Sequence, residues 1–180
     1  MDFPVFKYHP DPVASGSVVK SDIACACCGE AKGYIYKGGV YSEEDGLDDA
    51  LCPWCIADDS AHRKFDASFN DAENLYDQIP AEVADEVEYR TPGYAGWQQE
   101  HWLACCGDAA AFREPVGYAE IAQRYPFLES VLMQHIAEDW GMTGSAATQF
   151  YKSLDRDRGP TAYVFTCLHC KASLAYIDSP

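Results

Sequence analysis

Nine cysteines in 180 residues constrain this chain more than any other feature, because six of them fall in three Cys-x-x-Cys pairs: Cys25/Cys28, Cys52/Cys55 and Cys167/Cys170. An odd number of cysteines cannot pair completely as disulfides, whereas eight metal ligands plus one spare thiol is a natural division. Disulfide frameworks belong to oxidising compartments. The opening run Met1-Asp2-Phe3-Pro4-Val5-Phe6-Lys7 has neither the basic nor the apolar stretch of a secretory signal, and no apolar run approaches the length of a membrane span. A cytoplasmic location is therefore expected, and in a reducing setting the thiols point to metal.

Cys25-Ala26-Cys27-Cys28-Gly29 offers one knuckle through Cys25 and Cys28, with Cys27 left over and a glycine where a tight turn needs one. The second pair begins Cys52-Pro53-Trp54-Cys55 after 23 intervening residues, slightly more than the roughly 15–20 usual between such pairs. Tyr34-Ile35-Tyr36 and Val40-Tyr41, turning at Gly38-Gly39, are expected to form the hairpin that brings it back. Four thiolates with no open position suit Zn²⁺. A second zinc site is expected from Cys167 and Cys170 with Cys106 and either Cys105 or His101; buried free thiols are the alternative. A redox role for Cys52 and Cys55 is disfavoured, since Asp48, Asp49, Asp58 and Asp59 surround the pair with negative charge that raises a thiol pKa.

Periodicity and punctuation supply the remaining elements. Residues up to about 20, with Pro4, Pro10, Pro12 and Gly16, read as an extended arm. Helices are expected over Ala81–Tyr89 after Pro80, over Trp97–Cys105, and over Tyr118–Trp140 with a break at Pro126, where Ile121, Leu128, Val131, Leu132 and Ile136 recur at helical spacing. Thr161–Phe165 and Ser173–Ile177 read as strands flanking the last knuckle. The expected fold class is α+β, with zinc-ribbon or treble-clef-like β modules around a helical middle. Residues 1–66 form an arm and first knuckle module, and residues 67–180 a helical segment plus a C-terminal β-hairpin closing the second site, the two packed as one unit.

Charge narrows the function. With 29 Asp+Glu against 13 Lys+Arg the formal charge is -16, and two four-thiolate zinc sites would take it to about -20. Nucleic acid and anionic membranes would be repelled. Fifteen acids against two basic residues lie between Gly38 and Tyr89, an arrangement suited to a basic protein partner. The five histidines form no HExxH pairing, and no phosphate-binding glycine loop or glycine-flanked serine occurs. No catalytic residue is assigned, and an enzyme is not expected.

Several short stretches together carry a family likeness: Phe6-Lys7-Tyr8-His9-Pro10-Asp11-Pro12, Cys25 to Gly29, Gly33-Tyr34-Ile35-Tyr36, Leu51 to Asp58, Arg90-Thr91-Pro92-Gly93-Tyr94, Trp97-Gln98, Cys106-Gly107-Asp108 and Cys167-Leu168-His169-Cys170. In these the chain resembles the CbrC family of small bacterial proteins. The resemblance implies zinc ligation at Cys25, Cys28, Cys52, Cys55, Cys167 and Cys170, and less firmly at Cys105, Cys106 or His101. It also implies colicin tolerance, or an immunity role against a nuclease toxin, in a family with no established enzymatic activity. The chain departs from the family pattern in having Cys105-Cys106 where a His-Cys pair is expected, and Ala110 where a further cysteine is expected.

Overall fold

The structure is a computed structural model and describes residues 2–180. An arm whose side chains enter two different apolar clusters leads to β1 (Val18–Lys20), which pairs antiparallel with β2 (Tyr34–Tyr36). Three short helices follow: α1 (Pro53–Ala57), α2 (Ser60–Phe65) and α3 (Glu73–Tyr76). The longer α4 (Ala81–Arg90) starts after Pro80, carries Glu82 in its first turn and Arg90 in its last, and buries Ala84 and Val87. Asn70 Nδ2 finishes it by donating to the carbonyls of Val87 and Thr91, at 2.7 and 2.8 Å, which the end of a helix leaves unpaired.

The chain then forms the two-residue strands β3 (Ala104–Cys105) and β4 (Asp108–Ala109), and β5 (Ala111–Val116). Next come α5 (Tyr118–Arg124), a 3₁₀ turn at Pro126–Leu128, α6 (Glu129–Asp139) and α7 (Gly144–Lys152). Glu120 reaches back to accept from the Gly117 N–H at 3.0 Å, fixing the start of α5. The last strands, β6 (Thr161–Thr166) and β7 (Ser173–Asp178), complete an antiparallel sheet in the order β5-β6-β7. Arg113 is the extra residue of a bulge where the β5–β6 register shifts between Phe112 and Glu114.

This sheet divides two cores. Along β6, Ala162 and Val164 face a cluster with Leu128, Leu132, Ile136, Ala147 and Tyr151, while Tyr163 and Phe165 face another with Tyr94, Trp102 and Phe112. The strand's two-residue period therefore places every second side chain in a different core. The first five residues of β6 are all buried as a result. A third cluster, containing Phe6, Val18, Ile35, Tyr36, Leu51, Ile56 and Phe69, underlies the first two cysteine pairs.

Two expectations are corrected. Tyr34–Tyr36 pairs not with Val40-Tyr41 but with Val18–Lys20, inside the expected arm; Tyr41 instead bridges to Ser68. Gly38 has the Tyr36 ring against it, so close that a Cβ there would lie 2.2 Å from Tyr36 Oη. Gly38 thus lets the chain pass over that ring, whose hydroxyl bonds the Gly39 carbonyl at 3.1 Å. The Trp97–Cys105 segment is not a helix. Its backbone is held by side chains instead: Asp178 accepts from the N–H groups of Trp97 and Gln98 at 2.9 and 2.8 Å, and Tyr94 Oη from that of His101 at 3.2 Å. Trp102 is fully buried, whereas Trp97 is partly exposed.

Candidate metal centres

Eight of the nine cysteines assemble into two groups, Cys25/Cys28/Cys52/Cys55 and Cys105/Cys106/Cys167/Cys170, the four sulphurs of each lying within 4.8 Å of one another. All nine are free thiols. In the first group Cys25–Cys55, Cys28–Cys52 and Cys52–Cys55 are 3.9, 4.0 and 3.5 Å apart. In the second, Cys105–Cys106 and Cys105–Cys170 are 3.7 and 3.8 Å apart. A tetrahedron with metal–sulphur bonds of about 2.3 Å has edges of about 3.8 Å, so both groups can hold a metal ion without rearrangement.

The first group is built by two turns. Cys25 opens a knuckle in which its N–H donates to the Glu30 carbonyl at 3.0 Å and Gly29 N–H returns to the Cys25 carbonyl at 2.7 Å. Gly29 has a φ of 75°, a left-handed conformation that glycine adopts without a Cβ penalty. Cys52 immediately precedes α1 and Cys55 lies within it. Main-chain bonds from Ala26 N to Ala50 O and from Tyr36 N to Leu51 O, at 2.8 and 2.9 Å, bring this second segment alongside the knuckle. Cys27 points away, its sulphur 3.6 Å from Ser60 Oγ, while Lys64 of α2 donates to the Cys27 carbonyl at 2.8 Å.

The second knuckle repeats the first. Cys167 N–H donates five residues ahead, to Ala172 O at 2.8 Å, and Lys171, with a φ of 63°, stands where the first knuckle has Gly29. Opposite it, β3 and β4 pair Cys105 with Asp108 across Cys106 and Gly107, both with positive φ of 57° and 73°. That is a two-residue type I′ hairpin, and its tight reversal lets two adjacent cysteines reach one centre. His101 is not part of the group; it packs edge-on to Tyr176 at 5.5 Å.

Electrostatics explain why each group suits a cation. Cys25 is held down to about 4, first by the hydrogen bond from the Cys52 thiol and then by the N–H groups of Cys28, Cys52 and Cys27, against the effect of burial. The same bond raises Cys52, and burial pushes Cys55 up to about 12. In the second group burial opposes ionisation of Cys167, but the N–H groups of Cys170 and His169 bring it down to about 6; its bond with Cys105 helps to raise Cys105 to about 12. Each protein pocket thus stabilises one negative charge, and a full set of thiolates requires a cation among them.

A network behind the second group was not read from the sequence. Asp108, nearly buried, accepts from Tyr8 Oη at 2.7 Å, His169 Nε2 at 2.9 Å and Lys7 Nζ at 3.2 Å. It ties the arm, the type I′ hairpin and the knuckle together, and fixes the orientation of His169. Burial opposes the charge on Asp108, but these donors hold its pKa below the ordinary value. Its only sequence signal was its place directly after Cys106-Gly107.

No solved structure matches the chain. Curated relatives from Mycobacterium bovis and Mycobacterium tuberculosis, both described as UPF0167 proteins, are 47% identical over 176 residues, covering 97% of this chain and 92% of theirs. A UPF0167 protein of Pseudomonas aeruginosa is 44% identical over 168 residues, covering 93% of this chain and 92% of its own. The model of the same family, described as an uncharacterised protein family, matches residues 3–179. With its two Cys₄ groups, this chain belongs to the bacterial family UPF0167.

Proposed function

We propose that this chain is a cytoplasmic zinc protein whose two Cys₄ groups are structural and whose acidic surface binds a basic protein, most specifically a nuclease toxin domain that it neutralises as an immunity protein. The two centres follow treble-clef and zinc-ribbon logic: a knuckle closed by a helix start in the first, and by a second turn in the second. Zn²⁺ is favoured over other metals because four thiolates at tetrahedral spacing leave no open position. Closed sites of this kind support a binding protein over an enzyme. Among the described residues no helix is long and apolar enough to cross a membrane.

The observation that carries the partner assignment is unpaired charge. None of the fifteen acids between Gly38 and Tyr89 is buried, and among the described residues only Asp49 and Asp59 of them form ion pairs, with Lys37 and Arg63. An uncompensated negative face accelerates and selects association with a basic protein, and nuclease toxins are basic where they grip phosphate. The resemblance to the CbrC family supplies the toxin reading of this partner.

Purified chain would be titrated against toxin domains encoded beside its gene, at low and high salt, with metal content measured in the same preparation. Tight binding that weakens with salt, and is lost in the triple variant Glu43→Lys, Glu44→Lys, Asp45→Lys, supports the proposal. No binding to any of them overturns the immunity role. A housekeeping protein recovered from the host without toxin would instead support an adaptor with another basic partner.

A further inference from the structure

The two Cys₄ groups are not equivalent in exposure. In the first, Cys25, Cys52 and Cys55 are 1–2% exposed and only Cys28 reaches solvent. In the second, Cys106 and Cys170 are exposed, Cys105 is half-buried, and only Cys167 is enclosed. Their surroundings differ as well. The first has Lys32 close enough to feel the charge of Cys28, Cys52 and Cys55, and a backbone N–H of Cys52 directed at Cys25 Sγ at 3.2 Å. The second has Asp108 on its flank, bonded to His169 of the knuckle. Sulphurs that stand in solvent are reached first by an oxidant.

We infer that the second group is a peroxide-responsive metal site: hydrogen peroxide oxidises Cys170 and Cys105 to a disulfide that ejects the metal, while the first group stays loaded. This rests on the zinc reading of both groups. Cys170 thiolate attacks the peroxide, an S–O bond forms, the O–O bond breaks and hydroxide leaves. Cys105 thiolate, whose sulphur is 3.8 Å away, then displaces hydroxide from the Cys170 sulphur as the S–S bond forms and the S–O bond breaks. Two thiolates have lost two electrons, the peroxide has become two waters with two protons from solvent, and Cys106 and Cys167 remain as two ligands of four. Cys106 cannot take the place of Cys170 in a bond to Cys105. Its neighbour Cys105 is at 3.7 Å, but a disulfide between adjacent residues closes an eight-membered ring that strains the planar peptide.

The consequence is local. The Cys105–Cys170 bond joins the β3–β4 hairpin to the β6–β7 turn, the same two pieces that the metal joins, so the fold around them survives. What changes is the charge of the site and the orientation of the exposed Cys106 loop.

The test treats metal-loaded chain with hydrogen peroxide and follows metal by a chromophoric chelator and thiols by peptide mapping. Metal content is measured first. The expected result is one metal equivalent released on the order of tenfold faster than the other, given the dependence of thiol oxidation on exposure. A mass loss of two hydrogens should link the peptides holding Cys105 and Cys170, and a dithiol with added Zn²⁺ should reverse it. Cys170→Ser should abolish the fast phase; should that variant fail to fold, mapping of the unaltered chain still decides. Two metals released together, or a disulfide formed at Cys28 first, would overturn the inference while leaving the zinc reading intact. A chain that purifies without metal would overturn both.

Discussion

His9 gives the chain a built-in sensitivity to acid whose size follows from its surroundings. Its ring is fully buried, donates from Nδ1 to the Pro92 carbonyl at 2.7 Å, accepts at Nε2 from Ser15 Oγ at 2.8 Å, and lies edge-on to Phe112 at 5.0 Å. Because a carbonyl can only accept, Nδ1 carries the proton of the neutral ring. Burial lowers its pKa to about 4 from the ordinary 6.5, although the Pro92 bond and nearby Asp11 favour the charged form. Between those two values the unfolded chain binds a proton that the folded chain refuses. Stability is therefore complete above about pH 6.5 and falls as pH drops towards 4, by about 3 kcal/mol in full and about 2 kcal/mol by about pH 5. Urea unfolding of metal-loaded chain at neutral pH and near pH 5 measures the loss, and His9→Gln separates it from proton competition at the thiolates, which both chains share. The variant should start less stable at neutral pH and lose about 2 kcal/mol less on acidification. Equal acid losses in the two chains, or an NMR titration of the His9 ring near its ordinary value, would refute the reasoning.

Other substitutions probe the turns and ligands. Gly93→Ala should destabilise by about 3 kcal/mol in chemical denaturation, because a Cβ would lie 2.3 Å from the Phe69 carbonyl oxygen and 2.7 Å from Tyr36 Oη. Lys171→Gly should stabilise by about 0.5–1 kcal/mol and raise the melting temperature, since it relieves a left-handed residue in the second knuckle. Cys28→Ser should remove one metal equivalent by plasma mass spectrometry, whereas Cys27→Ser should remove none, its sulphur lying outside the tetrahedron. Chelation under mild denaturation should expose eight additional thiols and unfold both knuckles together with their hairpins.

What could be read from sequence depended on how local the cause was. The knuckles at Cys25–Cys28 and Cys167–Cys170 are turns within a few residues, and β6 and β7 show their alternation between two cores directly. The helical spacing of Leu128, Leu132 and Ile136 was equally explicit, with Pro126 marking a short 3₁₀ turn between two helices, although Val131, read on the same stripe, is exposed. Gly38-Gly39 misled because a glycine serves a close approach to an aromatic ring, as Gly38 does here, as readily as a hairpin turn. Tyr94, Trp97 and Trp102 sit at near-helical intervals, yet the backbone at Trp97, Gln98 and His101 is held by Asp178 and Tyr94, which local periodicity cannot reveal. The choice between Cys105 and His101 turned on the type I′ conformation of Cys106 and Gly107, which needs a non-glycine residue at positive φ. Asp108 escaped notice because its partners Tyr8 and His169 are 100 and 61 residues away.

The arm that meets Asp108 has a consequence for biosynthesis. Phe6 seats in one core and Tyr8 in another, and Tyr8 further accepts from the Phe112 amide at 2.8 Å. Its partners follow it in the chain by 100 residues, which a ribosome adds in roughly 5–20 s. Throughout that interval Tyr8 and His9 are translated but homeless, whereas the cluster that seats Phe6 is complete by residue 69 and the first Cys₄ group by residue 55. The nascent protein would thus mature from its first Cys₄ group outward, with Tyr8 and His9 sewn in only after the β3–β4 hairpin has left the exit tunnel.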